Sequence, residues 1–143
     1  MILTDSKIYI DTAPFIYYLE KSNLYFDITR SFFIDCRNQK KELFTSTVTI
    51  EEYCVYPLSR NDTQSVKNFN IFVEGMNIKK IPVDESIAMK AAELRAKYQA
   101  LKALDSIHLA TAILSHCKAF ITNDKQLQQI KEVSVYSMEI LKN

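Results

Sequence analysis

Short apolar runs alternate with longer stretches of helical periodicity along this chain, and that alternation constrains its fold more than any other feature. Lys7–Ile10 (KIYI), residues 43–47 (LFTST), residues 80–83, Ala119–Thr122 (AFIT) and residues 133–136 read as strands. Between them, residues 14–20, 25–38, 62–76, 84–101 and 105–116 carry helical patterns. Ile87, Ala91, Leu94, Tyr98 and Leu101, for example, recur on one helical face. Thr49-Ile50-Glu51-Glu52 has the form of a capping box, which opens a further helix at Thr49 that Pro57 is expected to end or kink. Strands joined through helices pair in parallel, with helices on both faces of the sheet. The expectation is a three-layer α/β/α sandwich around a mostly parallel sheet of four to five strands, one domain over residues 1–143.

Composition removes several functions. The 143 residues include one glycine, Gly75, which excludes a P-loop or a dinucleotide fingerprint, because both need several glycines to let backbone approach phosphate. A net charge of +1 argues against a protein that coats nucleic acid, though not against a local basic groove. Cys36, Cys54 and Cys117 are odd in number and match no zinc spacing, so they are expected to be reduced thiols. No signal peptide or run long enough to span a bilayer is present, so a cytoplasmic protein is expected.

The chemistry follows from where acids fall. In an open parallel sheet the functional crevice lies beyond the carboxyl ends of the strands. Asp11 directly follows the first strand, Glu52 lies one turn into the helix after the second, Asp105 opens the apolar helix leading to AFIT, and Asp124 sits just past it. Taken singly, Glu52 suits a capping box, and Asp105 and Asp124 suit helix caps. Caps do not explain four acids arriving at one edge. Clustered carboxylates repel unless a cation lies between them, and a hard divalent ion with oxygen ligands, Mg²⁺ or Mn²⁺, is the natural counter-charge. Such an ion suits phosphate chemistry.

Asp11-Thr12 after a first strand, TSTVTIEEY after a second, then LKALDSIHLATA and FITNDKQL together resemble a PIN domain, and more narrowly the VapC-type toxins of toxin–antitoxin pairs. The resemblance covers nearly the whole chain. It implies a metal-dependent endoribonuclease that hydrolyses RNA phosphodiester bonds with metal-activated water, leaving 5′-phosphate and 3′-hydroxyl ends. The family's acids carry over to Asp11, Glu52, Asp105 and Asp124, with Asp11, Asp105 and Asp124 holding one or two ions and Glu52 completing the shell. Its small polar residues carry over to Thr12, Thr49, Thr122 and Asn123. The sequence departs from the family at Ala13-Pro14, where a Ser or Asn and an apolar residue often stand. Register from Thr49 favours Glu52 over Glu51. The resemblance also implies an RNA substrate, a VapB-like antitoxin bound near residues 49–76, and a homodimer.

Weaker signals are weighed beside these. His108 lies three residues after Asp105 on the same helical face and is read as a packing residue. Residues 37–41 (RNQKK), Lys79, Lys80, Arg95 and Lys102 are candidates for phosphate contact. Most aromatic residues are core, with Tyr17, Tyr18, Tyr53 and Tyr56 the candidates for surface exposure. Two other readings remain: a catalytically inert PIN-like module that binds RNA or protein, and a Mg²⁺-binding receiver-type signalling domain. The latter wants an acidic pair after the first strand and a lysine after the last, and neither is present.

Overall fold

In β1 (Lys7–Ile10) successive side chains point to opposite faces, and both faces are buried. Ile8 and Ile10 join one apolar cluster and Tyr9 the other. That double burial is what a strand covered on both sides requires. The computed structural model describes residues 3–142. Its elements run β1, α1 (Thr12–Leu19), α2 (Phe26–Asn38), β2 (Glu42–Ser46), α3 (Val48–Ser59), α4 (Thr63–Gly75), β3 (Lys79–Ile81), α5 (Glu85–Lys97), α6 (Ala103–Leu114), β4 (Ala119–Thr122) and β5 (Ser134–Ser137). A short 3₁₀ turn, Lys125–Gln129, lies between the last two strands.

All strand pairs are parallel, in the order β3-β2-β1-β4-β5. On one face, Phe15, Phe32, Phe33, Tyr53 and Phe69 of α1–α4 pack over Ile8, Ile10 and Ile121. On the other, Ile87, Leu94, Leu109 and Ala112 of α5 and α6 pack over Tyr9, Phe44 and Phe120. The expected three-layer sandwich is therefore the observed one. Among the described residues, no helix is long and apolar enough to cross a membrane.

The chain order reverses direction between β1 and β4, the central neighbours. This is the switch point at which a parallel sheet opens a crevice at its carboxyl edge. Asp11 leaves β1 there, and its N–H still bonds the Ile121 carbonyl at 2.9 Å. The same residue then caps α1, accepting the Thr12 N–H at 2.8 Å. Pro14 falls in the first turn of α1, where no N–H is missed.

Several boundaries differ from the sequence expectation for identifiable reasons. Thr49 is not a helix cap: α3 begins at Val48, and the buried Thr49 hydroxyl lies 2.7 Å from that of Thr45 on β2. Since Thr45 donates to the Ile10 carbonyl, Thr49 donates to Thr45, and the pair ties β1, β2 and α3 together. Pro57 lies inside α3 and does not end it; the helix continues two residues further, to Ser59. The helix expected over residues 84–101 is α5, which stops at Lys97, short of Leu101, as the Tyr98 hydroxyl donates to Glu132 at 2.6 Å and receives the Lys131 N–H. Asp105 is not the cap of its helix; Lys102 holds that position and Asp105 sits in the first turn. Tyr53, expected at the surface, is buried against Phe69 with its hydroxyl on Glu20. Tyr56 is 62% exposed, and Tyr17 and Tyr18 are half-buried.

Candidate active site

Each acid anticipated from the sequence lies beyond the carboxyl end of a strand or in the first turns of a helix beside it, and threonine hydroxyls bond Asp11, Glu52 and the Asp124 backbone. Thr122, the last residue of β4, donates to Asp11 Oδ2 at 2.7 Å and accepts the Asp124 N–H at 3.1 Å. Thr12 donates to Glu52 Oε1 at 2.8 Å, joining α1 to α3. Asp124 caps the 3₁₀ turn through the Gln126 N–H at 3.0 Å. Glu51 is exposed, and the acid that turns inward onto Thr12 and His108 is Glu52. Asn123 does not join these contacts; its side-chain amide donates to the Tyr17 hydroxyl at 2.7 Å.

The tightest grouping is not the three aspartates. Asp11, Glu52 and His108 each bring one potential ligand atom within 4.8 Å of the others, the one such group among the described residues. His108 Nε2 lies 2.5 Å from Glu52 Oε1 and 3.5 Å from Asp11 Oδ1. The other ring nitrogen, Nδ1, is 2.6 Å from the buried hydroxyl of Tyr9. Asp105 and Asp124 stand outside that group. His108, read from the sequence as packing, is thus a polar partner inside the site. Its signal was a lone polar side chain one helical turn beyond Asp105, in an otherwise apolar segment of α6. Tyr9 gave no signal, since an aromatic residue in a buried strand needs no special explanation.

The electrostatics follow from this arrangement. Burial alone would raise the Glu52 carboxyl, but the hydrogen bond and charge of His108, with the Thr12 hydroxyl, hold it below its usual range. Burial disfavours charge on His108, yet the Glu52 hydrogen bond and the Asp11, Glu52 and Asp105 carboxylates raise the imidazole above its ordinary value. Asp105 is raised, first by burial and then by the charges of Asp11, Asp124 and Glu52, with His108 opposing. Asp105 therefore feels the other three acids, and a single imidazole is the one basic side chain within the tightest group.

The donor set is oxygen-rich: four carboxylates with the Thr12 and Thr122 hydroxyls beside them. Asp105, raised first by burial, is raised further by the charges of Asp11, Asp124 and Glu52 around it. Both observations fit a hard divalent cation.

A parallel α/β sandwich with carboxylates converging at its switch point defines the class, an acid-edged domain suited to hold a divalent ion. Residues 8–133 match the PIN domain family, and the chain belongs to it. Its fold is similar to that of VapBC2 from Rickettsia felis, solved bound to a DNA fragment from their promoter. The TM-score is 0.75 at 15% identity, over 92% of this chain and 98% of that one. A toxin–antitoxin complex from Klebsiella pneumoniae gives 0.67 at 21% identity, over 92% and 97%. FitAcB from Neisseria gonorrhoeae gives 0.69 at 18% identity, over 92% and 98%. At these identities the likeness is one of fold. No curated protein matches the sequence. Family membership sets aside the receiver-type alternative.

Proposed function

We propose that this chain is a metal-dependent endoribonuclease and the toxin of a VapBC-type toxin–antitoxin pair. The observation that carries the reading is geometric: Asp11, Glu52 and His108 bring ligand atoms within 4.8 Å of one another at the switch point of a PIN fold, beside Asp105, whose carboxyl is raised first by burial and then by Asp11, Asp124 and Glu52. Asp11, Asp105 and Asp124, with Glu52, are the residues that would hold Mg²⁺ or Mn²⁺. When bound, such an ion polarises a phosphoryl oxygen and makes water a stronger acid. The protein's own part is to fix the carboxylates. Thr122 and the Thr12 N–H hold Asp11, and Thr12 and His108 hold Glu52, so that one carboxylate is available to accept a proton as water attacks phosphorus. Thr49 supports the same cluster from behind through Thr45, and Asn123 flanks it on the Tyr17 side.

Partners follow from the outer surface and from the company the fold keeps. Val55, Tyr56, Leu58 and Ile71 leave large apolar side chains exposed on α3 and α4. Beside them Ile16, Tyr53, Tyr56 and Pro57 line an apolar pocket of about 190 Å³ that reaches Glu52. A VapB-like antitoxin segment and a second copy of the chain are the partners proposed for this surface. The Klebsiella pneumoniae neighbour is itself a toxin–antitoxin complex, which supports the antitoxin assignment. A cytoplasmic site of action accords with an RNA substrate.

The test is direct. Purified protein is mixed with total RNA in chelator, Mg²⁺ and Mn²⁺, and ends are mapped. Cutting that needs the metal and leaves 5′-phosphates supports the proposal. RNA bound but never cut, in every metal, replaces it with the inert binding module.

A further inference from the structure

A buried line of polar atoms runs from the middle of the sheet to the acidic cluster. Tyr9, on β1, is fully buried with its ring stacked on Phe120 at 5.1 Å, yet it carries a hydroxyl where phenylalanine would fill the same space. That hydroxyl meets His108 Nδ1 at 2.6 Å, and the imidazole, 1% exposed, presents Nε2 to Glu52 Oε1 at 2.5 Å. An ionised carboxylate only accepts, so Nε2 carries the hydrogen. Nδ1 is complemented in either state of the ring, because the Tyr9 hydroxyl donates to a bare nitrogen or accepts from a protonated one. No buried side-chain polar atom among the described residues lacks a partner.

Both protein donors to Glu52 converge on one oxygen. Thr12 Oγ1 and His108 Nε2 bond Oε1, and Oε2 has no protein donor among the described residues. A carboxylate gripped at one oxygen by two rigid, buried donors from different helices cannot swing, and its second oxygen is presented in one direction. We infer that Tyr9 and His108 are positioning residues that hold Glu52 by Oε1 and leave Oε2 as its working atom. The inference rests on the proposed hydrolytic function of the cluster and adds how one of its acids is oriented. The imidazole stays on the protein side and is not itself a metal ligand, because its Nε2 lone pair is replaced by the hydrogen given to Glu52.

Two measurements test it, one independent of catalysis. In the metal-free protein, ¹⁵N spectra of the two histidine rings, with His116→Gln to assign them, are expected to show an exchange-protected Nε2 hydrogen on His108. Glu52→Gln should shift it and Tyr9→Phe should shift Nδ1. A His108 ring without hydrogen on Nε2 overturns the inference even if the protein cuts no RNA. In cleavage assays at saturating Mn²⁺, His108→Leu is expected to slow cutting roughly 10- to 100-fold, the usual effect of losing a partner one shell out. His108→Gln, which can still donate from its amide to Oε1, should recover most of that loss. Tyr9→Phe, which keeps the packing, should slow cutting roughly 2- to 10-fold, the worth of one hydrogen bond. If Leu and Gln at 108 cut equally slowly, or both cut like the parent, the positioning role is wrong. A ¹⁴N coupling from His108 in the Mn²⁺ spin-echo spectrum overturns it too, since the ring would then bind the ion. A parent protein that cuts no RNA in any metal sinks the nuclease reading alone.

Discussion

Thr122 and Asp11 are 111 residues apart in sequence, yet the hydroxyl at the end of β4 donates to the carboxylate at the end of β1 across 2.7 Å. The parallel pairing of the two strands brings this about: Ile10 and Ile121 are register partners, so the next residue of each strand emerges on the same edge. Asp11 thereby has one oxygen on Thr122 and the other on the Thr12 N–H.

Asp11→Asn is the substitution that separates chemistry from folding. Asparagine caps a helix as well as aspartate does, and its amide oxygen can keep the Thr12 N–H. The change removes one negative charge from the crowded cluster. Thermal denaturation without metal should therefore show a Tm no lower than the parent's, while metal-dependent RNA cutting is lost. Cutting at the parental rate by the purified variant would remove Asp11 from the metal set.

Asp105 supplies the pH test. Its folded-state acidity is weakened, first by burial and then by Asp11, Asp124 and Glu52, so the folded protein favours the protonated form. The stability that this proton brings is present below the ordinary value of 3.8 and is lost as pH rises through the higher folded value. At neutral pH without metal, the ionised group opposes folding. Asp105→Asn should then raise Tm at pH 7 in chelator, with the gain shrinking as pH is lowered toward 3.8. Divalent metal should stabilise the parent, by about 2.7 kcal/mol at 100 times its Kd, and stabilise the variant less. A variant that melts below the parent at pH 7 contradicts the account.

The fold and the arrival of acids at the strand ends were legible because their signals are local. An apolar run, a helical stripe and an acid at a strand end each occupy a few adjacent residues, and parallel pairing then forces the strand ends onto one edge. Tyr9, His108 and Thr49 were harder to read because their roles exist only between elements. The separation of 99 residues between Tyr9 and His108 carries no periodicity that announces a hydrogen bond. Thr49 misled for a related reason: its Ser/Thr-x-x-Glu spacing suits a cap, but the same spacing points Thr49 and Glu52 to one helical face. There a partner on β2 outcompeted the local bond. Pro57 marks the close of α3 to within two residues, since the helix runs on through it only to Ser59.

The cysteines are expected to be chemically silent in the folded protein. Cys36, Cys54 and Cys117 are all buried. Burial pushes the Cys36 and Cys117 thiols up to about 12 and raises Cys54 as well. At pH 8 a thiol of that acidity is ionised to roughly one part in ten thousand, and the thiolate is the reactive form. A disulfide reagent should find no fast-reacting thiol in the native protein and three after denaturation. A rapid stoichiometric reaction at any of the three in native buffer contradicts their burial.

The shortage of glycine leaves strain at helix ends, and this gives the most quantitative test. Lys21, Lys40, Asn61, Asn77 and His116 all have φ between 53° and 62°, each just after a helix. In every case the next residue's N–H reaches back into the last turn, as Lys41 does to the Cys36 carbonyl at 2.9 Å and Ile78 to that of Val73 at 3.0 Å. This is the helix-ending geometry that glycine usually serves. A side chain in the left-handed region costs about 1–2 kcal/mol, and asparagine tolerates it better than lysine. Replacing Lys40 by glycine removes that strain, and the greater freedom of glycine in the unfolded chain returns about 0.4–1 kcal/mol of the gain. Lys40 is exposed, so little packing is lost. Lys40→Gly is therefore expected to stabilise the protein by about 0.5–1 kcal/mol, read as a higher urea midpoint with an unchanged slope. Asn77→Gly should gain less. Equal destabilisation by both substitutions would show that these helix ends are unstrained in the folded protein.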